Sequence, residues 1–181
     1  MSDTKFLAGE KVYLRPVEPA DLPRVCRWIN DPETRRHIGE IRPKSIADMT
    51  EWLNGVYKDS NRVWFIVTLN DCNKIIGEAG LIRIFHPWRA ADASMILGEK
   101  DALGKGYGTE AMRLLLGYAF NSLNLHRVGI GVFDFNGRAI KFYEKCGFRR
   151  EGVLRDGYFC DGAFHDVILM SILDTEFREN H

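Results

Sequence analysis

Alternation and helical spacing divide the chain into elements before any chemistry is considered. Residues 11–15 alternate, Val12 and Leu14 against Tyr13 and Arg15, and stop at Pro16, which predicts a short first strand. Asp21 stands where an N-cap would, and Leu22, Val25, Trp28 and Ile29 follow at helical steps. Asp31-Pro32 is expected to stop that helix. Residues 45–58 predict a second helix with Ile46, Met49, Trp52, Leu53 and Val56 on one face.

The middle of the chain is strand-rich. Residues 63–69 and 74–85 read as strands, the second interrupted by Gly77 and Gly80, and 91–97 follow a loop at His86-Pro87-Trp88. Along 91–97, Ala93, Met95 and Leu97 share one face, and Asp92, Ser94 and Ile96 share the other. A glycine-rich turn then leads into an amphipathic helix carrying Ala111, Leu114, Leu115, Tyr118, Ala119 and Leu123. Residues 127–133 read as a strand and 136–146 as a helix. Residues 148–158 and 164–173 read as paired strands joined at Asp161-Gly162. This order predicts a mixed α/β or α+β sheet protein. No linker, repeat or block of like charge divides it, so a single domain over residues 8–176 is expected.

Composition narrows the function. Lys plus Arg and Asp plus Glu both number 25, so the formal charge is zero and a general nucleic-acid binder, which carries a basic excess, is disfavoured. The four cysteines, Cys26, Cys72, Cys146 and Cys160, form no C-x-x-C pair; neither a zinc site nor a disulfide framework is suggested, and no metal is expected. No apolar run approaches the ~18 residues needed to cross a bilayer, and residues 1–9 lack the apolar core of a signal peptide. A cytoplasmic protein with reduced thiols and no membrane partner is the expectation.

The densest chemical signal is Leu103-Gly104-Lys105-Gly106-Tyr107-Gly108-Thr109, between a strand and a helix. Alternate glycines let a ligand approach the backbone, and the helix start offers unpaired N–H groups and a positive dipole end. That suits a phosphate or pyrophosphate. The P-loop spacing fails, because Glu99 stands where the first glycine is needed, and G-x-G-x-G is not the dinucleotide fingerprint. A second signal runs from Asn136 through Ala139 and Tyr143 to Gly147-Phe148. Asn136 can cap a helix that Gly147 ends. Tyr143 suits a buried aromatic, and its phenol can also give a proton to a leaving group.

Together these two motifs resemble the GNAT superfamily of N-acetyltransferases, in which the pyrophosphate loop follows [QR]-x-x-G-x-[GA] and a second motif reads N-x-x-A-x-x-x-Y-x-x-x-G-F. The element order is similar over residues 10–174, and the sequence is most like the branch of spermidine and ribosomal-protein-alanine acetyltransferases. The resemblance implies a mostly antiparallel central sheet flanked by helices, with splayed central strands that form an acetyl-CoA cleft. It implies that Met95, Ile96 and Leu97 lie along the pantetheine, that Gly104, Lys105, Gly106, Tyr107, Gly108 and Thr109 take the pyrophosphate, and that Asn136 contacts the pantetheine side. Leu103 departs from the pattern, since its side chain cannot bond a phosphate.

By the same resemblance Tyr143 is the general acid toward sulfur. A base is sought in Asp92 first and Glu78 second; either can instead be a solvated charge. The expected acceptor is a polyamine or other small amine, held by acids among Asp31, Glu33, Glu40, Asp48 and Glu51, with a protein N-terminus as the alternative. A non-catalytic acyl-CoA-binding module is the alternative of another class. Relatives pair C-terminal edges between subunits, so a homodimer through the apolar run at 167–173 is expected.

Overall fold

The computed structural model describes residues 4–179. Its elements are β1 (Leu7–Ala8), β2 (Val12–Pro16), α1 (Leu22–Asn30), α2 (Pro32–Ile38), α3 (Ile46–Lys58), β3 (Val63–Leu69), β4 (Ile75–Phe85) and β5 (Ala90–Leu97). They continue with α4 (Tyr107–Gly117), β6 (Arg127–Phe133), α5 (Gly137–Lys145), β7 (Arg149–Cys160), β8 (Ala163–Leu173) and α6 (Asp174–Glu179). One eight-stranded sheet runs β1-β2-β3-β4-β5-β6-β8-β7. Every neighbouring pair is antiparallel except β5 and β6, which are parallel. The mixed, mostly antiparallel α/β sheet is therefore as the sequence predicts.

Helices cover both faces, and this explains most departures from the sequence pattern. Leu14, Phe65, Val67, Ala79 and Leu81 pack on one face against Met112, Leu115 and Leu116 of α4. Ile66 and Ile75 pack on the other against Val25 and Trp28 of α1 and Met49 and Leu53 of α3. Alternation in β2 predicts a wet face at Tyr13 and Arg15, yet both are buried. Arg15 is tolerated there because Asp21 accepts from both ends of its guanidinium, at 2.8 and 2.7 Å.

Asp31-Pro32 ends α1 but also starts α2. Asp31 accepts the Thr34 N–H at 3.0 Å and Pro32 fills the first helical position, where its missing N–H is harmless. Gly77 and Gly80 do not interrupt β4. The Trp64 ring lies across Gly80, where a Cβ would collide with it. Ser45 caps α3 reciprocally with Asp48, which places that helix start where the sequence predicts it. The run at 167–173 belongs to β8, which lies between β6 and β7 and is no edge; Met170 and Ile172 are core.

Candidate active site

The parallel pair β5–β6 holds together for only three residues, Ala90 to Asp92 opposite Arg127 to Gly129. Beyond that the strands part. Ser94 to Leu97 keep their β4 partners and Ile130 to Phe133 keep their β8 partners, but each row leaves its facing backbone groups unpaired. Unpaired strand edges inside a protein demand a partner, and an extended ligand with amide groups supplies one. The resulting cleft encloses about 1260 Å³.

The glycine turn closes one end of the cleft. Gly104 and Gly106 have φ of +76° and +85°, a region L side chains rarely adopt, and Gly106 is the N-cap of α4 with no side chain capping the first turn. The N–H groups there stay open to a ligand. Gly108 serves packing instead. A Cβ on it would come within 3.0 Å of Leu97 and 3.3 Å of Phe142, so its absence lets α4 start against β5 and α5. Leu103, Gly104, Gly106, Gly108 and Thr109 line the cleft, while Lys105 is exposed beside it and Tyr107 packs toward the core.

Across the cleft, α5 begins at Asn136, whose Oδ1 accepts the Ala139 N–H at 3.1 Å, which leaves its amide NH₂ group as the free donor. Tyr143, two turns on, is buried between Phe142 and Phe148 and borders the cleft. Burial pushes its phenol pKa above the usual range, and the neighbouring Cys146 pushes the same way. Burial also pushes the Cys146 thiol up, to about 12. That leaves the thiol inert.

The structure does not bring the two catalytic carboxylate candidates to the cleft wall. Asp92 lies where β5 and β6 still pair, and its Oδ2 accepts from Arg83 Nε at 2.6 Å. Glu78 sits on β4 opposite Ile96, only 2 % exposed, one strand behind the wall that Ile96 forms. Burial pushes its carboxyl up to about 7. Glu78 Oε2 and Trp64 Nε1 are both buried with no hydrogen-bond partner among the described residues.

The GNAT acetyltransferase domain model matches residues 11–149. The chain belongs to the GNAT family. It is 31 % identical to the spermidine N(1)-acetyltransferase of Vibrio cholerae over 93 % of this chain and 96 % of that protein. A crystal structure of the V. cholerae spermidine N-acetyltransferase in complex with CoA and spermine superposes with a TM-score of 0.88 at 29 % identity, covering 94 % of this chain and 99 % of the other. A dodecameric structure of spermidine N-acetyltransferase from V. cholerae superposes with a TM-score of 0.81 at 28 % identity, covering 95 % and 99 %.

As a GNAT enzyme the protein is an acetyl-CoA-dependent N-acetyltransferase, and its cleft fits that donor. The parted strands offer unpaired backbone groups, and the open N–H groups of the glycine turn suit a diphosphate. When bound, acetyl-CoA supplies the activated acetyl group. Met95, Ile96 and Leu97 all line the GNAT cleft, as do Asn136 and Tyr143.

Two features escaped the sequence pattern. Helix α2 lies along the cleft and contributes Asp31, Glu33, Thr34 and His37 to it. The Pro at N1 and the Asp N-cap signalled this helix, but its position needed the fold. Gly98 is the second: a Cβ on it would overlap the Trp28 indole, which also donates to Glu99 at 3.1 Å and so locks α1 onto the end of β5. Of the five acids around the first helices, only Asp31 and Glu33 reach the cleft. Asp48 is spent on capping α3, Glu40 pairs with Lys44, and Glu51 is exposed.

Proposed function

We propose that the protein acetylates a polyamine or another small primary amine by direct attack on acetyl-CoA, with residues 8–176 as one catalytic unit and Tyr143 as general acid. The observation that carries the acceptor is the chemistry of the cleft wall. Asp31 and Glu33 present carboxylates from α2, and Phe133 and Phe135 present aromatic rings from the end of β6. Carboxylates attract ammonium groups, and ring faces take both cations and methylene chains. Thr34 holds the Asp31 carboxyl below its usual range through its backbone N–H. Glu33 already binds Lys100 at 3.1 Å on an exposed surface, an exchangeable pair that an incoming ammonium replaces at little loss. Relatives named as spermidine acetyltransferases support the same reading.

In the reaction the free amine attacks the thioester carbonyl to form the C–N bond, the C–S bond breaks, Tyr143 hands its proton to the departing sulfur, and the proton shed by the acetylated nitrogen restores the phenol. The ammonium proton must leave first. Glu78, close to neutral pKa and facing no cation, takes it through water better than Asp92, which Arg83 already holds. Parted strands keep the thioester beside Tyr143.

Thiol release from acetyl-CoA, compared between spermidine and peptides starting with alanine or serine, tests the acceptor. We expect kcat/KM for spermidine to exceed that for either peptide by about tenfold or more. The reverse ranking makes the protein an N-terminal acetyltransferase. Run across pH, the spermidine assay is expected to rise through about 7 as Glu78 ionises, and Glu78→Gln should abolish that limb. An unaltered limb in that variant moves the base elsewhere.

We also propose self-assembly, a homodimer at least, and residence in the cytoplasm, where unpaired thiols such as the four here persist. Val153, Leu154, Phe159, Phe164 and Leu169 of the β7–β8 hairpin are exposed apolar groups, and they replace the 167–173 run as the surface for a second copy. Light scattering that returns the mass of one chain at micromolar concentration rejects the assembly.

A further inference from the structure

Lys11 stands just before β2, far from the glycine turn in sequence and beside it in space. Its backbone is tied down on both sides: its N–H donates to Glu110 Oε1 at 2.9 Å, and its carbonyl accepts from the Asn70 N–H at 2.9 Å. Glu110 lies in the first turn of α4. This bond therefore fixes Lys11 relative to the helix end that the turn opens. Its side chain then runs to the turn itself, and a Cβ on Gly106 would lie 3.8 Å from Lys11 Nζ.

An ammonium there is in an unfavourable place. The start of α4 carries the positive end of the helix dipole, which repels a nearby cation. Nearby, Lys74 pairs with Asp101 and Lys100 with Glu33, whereas Lys105 of the turn itself is exposed to solvent. Lys11 makes no ion pair among the described residues, and Leu103, which leads into the turn, brings no donor. A lysine held near open N–H groups and a positive helix end, its ammonium in no ion pair among the described residues, is placed for an anion that arrives from outside.

We propose that Lys11 is a ligand for the diphosphate of acetyl-CoA, delivered to the turn from the N-terminal hairpin and supplying the charge that Leu103 does not. The inference rests on the acetyl-CoA reading of the cleft. The ammonium lies beside Gly106, at the turn whose N–H groups stay open. Binding then draws the first turn of α4 and the β1–β2 hairpin onto the same ligand.

Calorimetry on the full chain tests this with three probes: CoA, dephospho-CoA, which keeps the diphosphate, and S-acetylpantetheine, which has no phosphate. Lys11→Met, which keeps the stem and the backbone bonds, should bind both CoA and dephospho-CoA about tenfold more weakly, with a shallower salt dependence and an unchanged melting temperature. S-acetylpantetheine should bind it as it binds wild type. Lys11→Arg should stay within about threefold of wild type for all three probes. A Lys11→Met protein that binds CoA within twofold of wild type overturns the inference. So does a loss confined to CoA with dephospho-CoA unaffected, which would put Lys11 on the 3′-phosphate. Wild-type protein that binds no CoA overturns the cleft reading and the inference together.

Discussion

Replacing Tyr143 by Phe is expected to lower kcat about 10²-fold, with CoA affinity and melting temperature close to wild type. The ring stays where it is, because its contacts with Phe142 and Phe148, at centroid distances of 4.9 and 5.3 Å, are edge-to-face packing that Phe reproduces. Phe also keeps the volume of the ring, so no cavity opens in the core. What is lost is a proton donor. Burial keeps the phenol protonated across the working pH range, so the acid form is always present. General acid catalysis is worth about 10²–10⁴-fold, and a CoA thiol is acidic enough to leave with modest help, which favours the lower end, roughly 3 kcal/mol of barrier. A core role alone predicts the opposite pattern, near-normal kcat with lower stability. Retention of more than about half of wild-type kcat, with chemistry shown to limit the rate, would end the general-acid assignment.

Gly106→Val should weaken acetyl-CoA binding by about 10²-fold, read as a rise in KM and in calorimetric Kd, while the protein stays folded. Two effects add. Gly106 has φ of +85°, where a β-branched residue is strained, so the turn must distort to accept it. The same residue caps α4 without a side chain, and its open N–H neighbours are the donors proposed for the diphosphate. Losing about two charge-assisted bonds, each worth roughly 1.5–3 kcal/mol net, accounts for the magnitude. Strain at an exposed turn costs about 1–3 kcal/mol, which a domain of this size withstands. Unchanged affinity in a folded variant would remove the diphosphate from this turn.

How much of the site was legible follows from how local each signal is. The glycine turn, the Asn136 cap and Tyr143 were readable because turn conformation, capping and helix phase are set by neighbours in sequence. The boundaries of β3 and β6 were readable for the same reason, and both appear as Val63–Leu69 and Arg127–Phe133. The carboxylates were not. Whether Asp92 or Glu78 faces solvent, a cation or a hydrophobic wall depends on which strand lies alongside and which helix lies above. Arg83 bonds Asp92 across the β4–β5 hairpin, and only the packing of α1 and α3 over β4 buries Glu78.

The sequence by itself determined the order of most strands and helices, the glycine turn before α4 and the Tyr143 helix that borders the cleft, since each is written in residues a few positions apart. Tertiary structure alone decided four other matters: the covered second face that buries Arg15 with Asp21, the interior place of β8, the position of α2 along the cleft, and the approach of Lys11 to Gly106. Alternation reports burial only where one face of a sheet is wet, and here helices cover both. The cleft itself is the clearest case. Nothing in residues 94–97 or 130–133 announces that their strands part after three paired residues. That parting is a property of two strands whose opposite edges are held by β4 and β8, and it exists only once the whole sheet is assembled.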